Sequence, residues 1–249
     1  MAILAGRVAL ITGGGSGIGA ASAHLLARHG AKIVIGNRRV ERGQAVAAAI
    51  CADGGSAIFQ ATDVTDAAAV AALVRLAIDT YGRLDIAFNN AGGFGTRALL
   101  ADQEPALVDE LLAVNVRGTF LCMKYELQHM LAQGNGVIIN NASTTGLRNT
   151  NPGVAIYAAA KSAVLSLTRS AALEYAERGI RVNAVAPGRI ATEMLGIAGA
   201  GEMERFAAQV PLKRLGTPDE VAEAVLWLAS DAAAFVTGHI LAVDGGVLA

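Results

Sequence analysis

The chain is poor in aromatic side chains (4%) and in charged ones (16%), with only two cysteines and five prolines, and its formal net charge is −1. Each shortage excludes something. Without a basic stripe or polybasic cluster, little can neutralise nucleic-acid phosphates or grip an anionic membrane surface. Cys51 and Cys122 lie far apart and outside any CxxC spacing. Two are too few for a disulfide scaffold and read as free thiols, although sequence leaves a bridge between them open. The histidines, His24, His29, His129 and His239, are scattered without metal-ligand spacing, so no metal is expected. No apolar run reaches the roughly 18–20 residues that span a bilayer. The opening "MAILAGRVALITGGG" lacks the charged segment and long apolar stretch of a secretory signal. The expectation is a cytoplasmic protein with neither nucleic-acid nor membrane partners.

What is abundant is apolar: 53% hydrophobic residues, with 29 glycines. Short aliphatic or β-branched runs recur at Val8–Ile11, Lys32–Ile35, Ala57–Ala61, Asp85–Asn89, Gly136–Asn140, Arg181–Val185 and His239–Val243, flanked by Gly, Asn, Asp or Pro. Between them lie stretches of helical period: Gly17–His29, Glu41–Cys51, Ala67–Tyr81, Leu107–Leu131, Ala155–Glu177 and Pro218–Leu228. Runs such as "VALI" and "KIVI" show no polar alternation, as in strands covered on both faces. Such alternation predicts right-handed βαβ crossovers and a parallel sheet of about seven strands. With no linker, repeat or low-complexity block, residues 1–249 read as one α/β domain.

Two local patterns carry chemistry. Thr12-Gly13-Gly14-Gly15-Ser16-Gly17-Ile18-Gly19 follows the first strand and opens the first helix. Glycines permit a tight turn and close approach of a ligand, and the helix N-terminus offers unpaired N–H groups to a pyrophosphate. This predicts a dinucleotide site in a Rossmann-type doubly wound fold; the bland alternative is a structural turn. The second pattern is Tyr157-Ala158-Ala159-Ala160-Lys161, "YAAAK". On a helix, positions i and i+4 share a face, and an ammonium beside a phenol is expected to lower its pKa. Alone, such a pair is a common helix-surface accident.

Together the glycine loop, in the spacing TGxxxGxG, and "YAAAK" resemble the short-chain dehydrogenase/reductase family. The resemblance covers almost the whole chain. It includes Asp63-Val64 after the third strand, Asn89-Asn90-Ala91-Gly92 after the fourth, Asn115 in "NVRG", Ser143 in "NNAS", Pro187-Gly188, and a late "VDGG". It implies four catalytic residues. Tyr157 would be the general acid–base, Ser143 the hydroxyl that holds the substrate oxygen, and Lys161 the group that binds the nicotinamide ribose and lowers the Tyr157 pKa. Asn115 would hold a water in a proton relay.

It also implies a cofactor shell. Gly13, Ser16, Gly17, Ile18 and Gly19 would meet the pyrophosphate, and Asp63 and Val64 the adenine edge. Asn89, Ala91 and Gly92 would line the cleft, and Pro187, Gly188, Ile190 and Thr192 would hold the nicotinamide carboxamide. Tyr157 and Lys161 would complete the shell. At the end of the second strand, "KIVIGNRR" carries Asn37 where NAD-dependent members usually have Asp, followed by Arg38 and Arg39. That favours NADP(H), with NAD(H) possible.

The resemblance implies an oxidoreductase that interconverts a secondary alcohol and a ketone, and a homotetramer whose long helices and apolar tail form the interfaces. The alternatives are a non-catalytic dinucleotide sensor or scaffold, or a lyase or isomerase on the same fold. The substrate walls and lid are expected at 144–156 and about 189–212, with Leu147, Val154, Met194 and Leu195 as apolar lining. Phe94 could edge the pocket or merely pack. Arg148 and Arg189 could meet an acidic group, but read more simply as exposed.

Overall fold

The computed structural model describes residues 2–149, 151–193 and 200–249. Seven strands form one parallel sheet: β1 Val8–Thr12, β2 Lys32–Asn37, β3 Ser56–Ala61, β4 Ile86–Asn89, β5 Gly136–Asn141, β6 Ile180–Pro187 and β7 Ile240–Val243. Their spatial order is β3-β2-β1-β4-β5-β6-β7. In register, Leu10 of β1 stands opposite Val34 of β2 on one side and Ala87 of β4 on the other. Because the chain winds outward in both directions from β1, a crevice opens between the carboxyl ends of β1 and β4, the usual ligand position in such sheets.

The helices are α1 Gly17–Arg28, α2 Val40–Ala52, α3 Ala67–Tyr81, α4 Pro105–Leu112, α5 Gly118–Gln133, α6 Thr144–Leu147, α7 Ala155–Tyr175, α8 Ala200–Gln209 and α9 Pro218–Ala229. Strand alternation splits the core into two layers. Ala9 and Ile11 of β1, with Ile33 and Ile35 of β2, pack under Ala23 and Leu26 of α1 and Val221 and Val225 of α9. Val8, Leu10 and Val34 face Leu73 and Val74 of α3, Met123 and Leu127 of α5, and Ala171 of α7. Helix starts follow local chemistry. The Asp66 carboxylate accepts the Ala68 N–H at 2.8 Å ahead of α3, and Thr217 and Glu220 form a reciprocal capping box at α9.

One expectation requires correction. The single helix read over Leu107–Leu131 is interrupted: a π-helical turn, Ala113–Arg117, separates α4 from α5. Such turns insert a residue into the helical ladder and aim a side chain that a straight helix would not. Here that side chain is Asn115. The segment expected as a lid, about 189–212, contains the helix α8.

Candidate active site

The glycine loop is packed backbone against backbone. Gly13 has φ +65°, and a Cβ there would stand 2.9 Å from Ala91 Cα. At Gly19 it would meet the Gly13 carbonyl oxygen at 2.4 Å and Asn90 Nδ2 at 2.5 Å. The loop is held from β4. Asn90 Nδ2 donates to the carbonyls of Thr12 (3.2 Å) and Gly13 (3.1 Å), while Thr12 Oγ1 accepts the N–H groups of Asn90 and Ala91. Thr192 packs over Gly17, 3.3 Å from where a Cβ would lie, so the segment leaving β6 reaches the loop. Ser16 caps α1 without a side-chain bond to the helix, and the first turn has no acid. Its N–H groups and partial positive charge are therefore unshielded toward an anion. Ile18 is half-buried against the core, and Ile190 is buried and bridges to Gly216.

At the end of β2 the Asn37 side chain is buried and donates to the Arg39 carbonyl at 2.7 Å. Arg39 donates to Ser16 Oγ at 2.9 Å and pairs with Glu193, which Arg42 also grips. Arg38 is exposed. Asp63, on the loop after the neighbouring strand β3, has its carboxyl held below the usual range, chiefly by the Thr65 N–H and in smaller part by the Arg38 charge. Val64 is buried against Gly118.

Ser143 follows β5 and caps α6, its hydroxyl accepting the Thr145 N–H at 3.1 Å. Tyr157 and Lys161 lie one turn apart on α7, with Lys161 Nζ 5.8 Å from the phenol centroid. The Phe94 ring stacks on Tyr157 at 4.9 Å between centroids, so it edges the site. Lys161 Nζ donates to the Asn141 carbonyl at 2.8 Å. Asn115 is fully buried, bonding through Nδ2 to the carbonyls of Gly93 (2.9 Å) and Leu111 (3.1 Å) and accepting the Gly93 N–H. A Cβ on Gly92 would fall 2.7 Å from Asn115 Oδ1 and 3.4 Å from Lys161 Nζ. Four separate segments thus converge at the carboxyl end of the sheet.

One expectation about this group is reversed. Burial pushes the Tyr157 phenol above its ordinary pKa, and the nearby Ser143 hydroxyl offsets only part of this. The residue nevertheless keeps some accessible surface. Burial also drives the Lys161 ammonium down to about 8. Desolvation disfavours both charged forms, and here it outweighs the attraction that sequence spacing suggests.

A second correction concerns Asn89, expected to line the cofactor cleft. Successive strand residues point to opposite faces, and Asn89 points inward. Its Nδ2 donates to Glu126 Oε2 of α5 at 2.9 Å and to Asn140 Oδ1 at 3.1 Å. Asn140 in turn donates to Thr168 Oγ1 at 2.9 Å. The adjacent Asn90 takes the place at the cleft, and Asn141 Nδ2 donates to its Oδ1 at 2.8 Å. Sequence reasoning passed over Asn90, Asn140 and Glu126. The signal for Glu126 was a lone acid in the apolar face of "CMKYELQHM". Glu126 is fully buried, and burial raises its carboxyl to about 8 against the opposing Asn89 bond.

On the substrate side Leu147 is exposed and Val154 is buried, so Val154 packs rather than lines. Arg148 is exposed. Met194 and Leu195 lie outside the described residues. Cys51 and Cys122 are both unbridged. No helix among the described residues is long and apolar enough to cross a membrane.

A glycine-rich crevice in a doubly wound sheet, with a serine, tyrosine and lysine at its carboxyl edge, defines a dinucleotide-dependent oxidoreductase. Comparison with known proteins agrees. The family model described as enoyl-(acyl carrier protein) reductase matches residues 13–248. The cis-4-hydroxycyclohexanecarboxylate dehydrogenase of Sinomonas cyclohexanicum is 46% identical over 98% of this chain and 97% of its own length. The 2,5-dichloro-2,5-cyclohexadiene-1,4-diol dehydrogenase of Sphingobium indicum is 42% identical over the full length of both chains. The structure of 3-ketoacyl-(acyl-carrier-protein) reductase from Brucella melitensis, complexed with NADH, superposes with a TM-score of 0.92 at 38% identity, covering 98% of this chain and 99% of that one. The chain belongs to the short-chain dehydrogenase/reductase family. It is an NAD(P)-dependent oxidoreductase acting on secondary alcohols or the corresponding ketones.

Proposed function

We propose that this enzyme oxidises and reduces at a ring carbon, interconverting an alicyclic secondary alcohol and its ketone, with Tyr157 as the general acid–base. The convergence of Tyr157, Ser143 and Lys161 beside the glycine crevice carries this reading. The relatives named for cyclohexane and cyclohexadiene alcohols support the ring. The dinucleotide accepts or supplies the hydride. The chain's own residues do the rest. The unshielded N-terminus of α1 and the Gly13–Gly19 turn bind its pyrophosphate. Ser143 and Tyr157 hydrogen-bond the substrate oxygen, where negative charge grows as a carbonyl is reduced, and Tyr157 delivers the proton. Lys161 and Asn115 hold the proton path behind it. The residues from 189 to about 212 act as the substrate lid. Initial rates on ring alcohols and ketones, followed by nicotinamide absorbance, test this reading; cofactor consumption out of step with carbonyl loss would refute it.

NADP(H) is our preferred cofactor. Asn37 supplies no carboxylate to repel a 2′-phosphate, and Arg38 stands exposed beside Asp63 with its guanidinium available to pair with one. Arg39 and Arg42 are already engaged by Ser16 and Glu193. The double substitution Asn37→Asp/Arg38→Leu is expected to shift kcat/KM toward NAD(H) by about 10- to 100-fold, the range for loss of one charge-assisted contact. A wild type that prefers NAD(H), with NADP(H) use unaffected in the double variant, would show that this strand end is misassigned.

We also propose a homotetramer in the cytoplasm. Phe120 and Leu131 on α5 and Leu173 on α7 expose large apolar surface on one side, as do Trp227 on α9 and Phe235 before β7 on another. Free thiols suit a reducing compartment. Light scattering is expected to return the mass of four chains, and a monomer mass at micromolar concentration would overturn the assembly.

A further inference from the structure

Arg189 follows Pro187-Gly188 at the carboxyl end of β6. Its guanidinium stacks 4.6 Å from the Phe206 centroid on α8 and donates to Asn151 Oδ1 at 3.4 Å and to Gln209 Oε1. Both acceptors are neutral. The charges that act on it are those of Arg97 and Arg205, and with burial, the larger cause, they lower its pKa. Arg205 lies 6.0 Å from the same ring and has its own acid, Glu202, at 3.5 Å. Among the described residues no carboxylate stands within 4.0 Å of Arg189 or Arg97. The remaining residues, 1, 150 and 194–199, include no acidic side chain. Arg7, Arg83 and Arg214, by contrast, pair with Asp231, Asp85 and Glu220.

These two cations approach the same turn. Ala98 donates to the Gly153 carbonyl at 3.1 Å, and Arg97 Cγ is 3.0 Å from where a Gly153 Cβ would stand. Arg189 meets that turn through Asn151. The turn leads directly into α7 and Tyr157, and Phe94, just ahead of Arg97 in the chain, stacks on Tyr157. Both arginines therefore reach the turn that carries the chain into the helix of Tyr157. Stacking on Phe206 fixes the plane of the Arg189 guanidinium; Nη2 donates to Asn151 and Gln209, and Nε and Nη1 remain to donate. Like charges held together cost energy in the free protein that an anion between them recovers, and the planar fork matches a carboxylate.

We propose that Arg189 and Arg97 form a carboxylate-binding subsite, so that the substrate is a ring alcohol or ketone with a carboxylate placed away from the reacting carbon. This rests on the alicyclic-alcohol reading above and names the substrate class within it. The subsite supplies orientation: a carboxylate held there fixes which ring carbon faces Tyr157.

The test is calorimetric titration of the dinucleotide-loaded protein with cyclohexanecarboxylate and with its neutral isostere cyclohexanecarboxamide. It is run on wild type, Arg189→Gln and Arg97→Gln, with initial rates on hydroxylated ring acids and neutral ring alcohols in parallel. The wild type is expected to bind the acid about 10- to 100-fold more tightly than the amide, as for a charge-assisted pair. That ratio should fall toward one in the variants, and kcat/KM for a hydroxy acid should drop at least about tenfold more than for a neutral alcohol, mainly through KM. Equal binding of acid and amide by the wild type, or a preference that survives in both variants, overturns the subsite. The wild-type comparison needs no variant to fold. Absence of turnover on every ring alcohol would refute the proposed reaction, whereas the acid-to-amide ratio would still decide the subsite.

Discussion

Replacing Tyr157 by Phe is expected to lower kcat by about 10²–10⁴-fold, the usual contribution of a positioned acid–base group, while dinucleotide affinity changes little. The ring stack with Phe94 and the helical setting of α7 survive this change; only the hydroxyl is lost. Burial raises the phenol pKa, so at neutral pH the residue holds its proton and is poised to donate it to a carbonyl. The reverse reaction needs the phenolate. Alcohol oxidation by the wild type should therefore rise toward alkaline pH, and carbonyl reduction should not. Steady-state rates in both directions, with a fluorescence titration of the dinucleotide, provide the check. Retention of more than half the activity in Tyr157→Phe would remove the tyrosine from this role.

The second large effect concerns stability. Glu126 is expected to make the folded protein less stable as pH rises from about 4.5 to about 8. Its carboxyl titrates near 8 in the fold and near the ordinary carboxylate value when unfolded. Between those values the folded state binds the extra proton, so unfolding free energy falls with pH, by at most about 1.4 kcal/mol per pH unit for one proton. The stabilisation is complete below the unfolded pKa and lost by the folded one.

Glu126→Gln keeps a neutral partner for Asn89 and should flatten this slope. Lys161 does not confuse the measurement: its pKa is depressed to about 8, so its window lies above pH 8 and its slope has the opposite sign. The buried Cys122 thiol, raised by burial and by Glu126, also titrates on the alkaline side. Urea denaturation of wild type and Glu126→Gln between pH 5 and 8 measures the difference. Parallel profiles in the two proteins would mean that the carboxyl carries no such linkage.

Local chemistry accounts for what was legible in the chain. Ala67–Tyr81 is helical as read, because its period, the Asp66 cap and the Gly82 stop act within a few residues. The glycine turn and the Tyr157–Lys161 pair are also near-neighbour patterns, so the sequence placed them correctly on a strand–helix junction and on one helix face. Contacts between distant segments were not legible in this way.

The direction of Asn89 depends on which face of β4 meets α5. Glu126 became a buried acid only when that helix lay across β4 and β5. The pKa values of Tyr157 and Lys161 went against the spacing argument because desolvation depends on everything packed around a group, and spacing reports one neighbour. Arg189, read from its surroundings in sequence as an exposed charge, lies instead between Asn151, Phe206 and Gln209. Those partners are far from it in the chain on one side and on a separate helix on the other. Hydrophobic periodicity and turn chemistry are short-range and therefore written in the sequence. Burial, charge balance and the facing of side chains arise from the summed packing of α5, α7 and α8 on the sheet, and only the tertiary structure decides them.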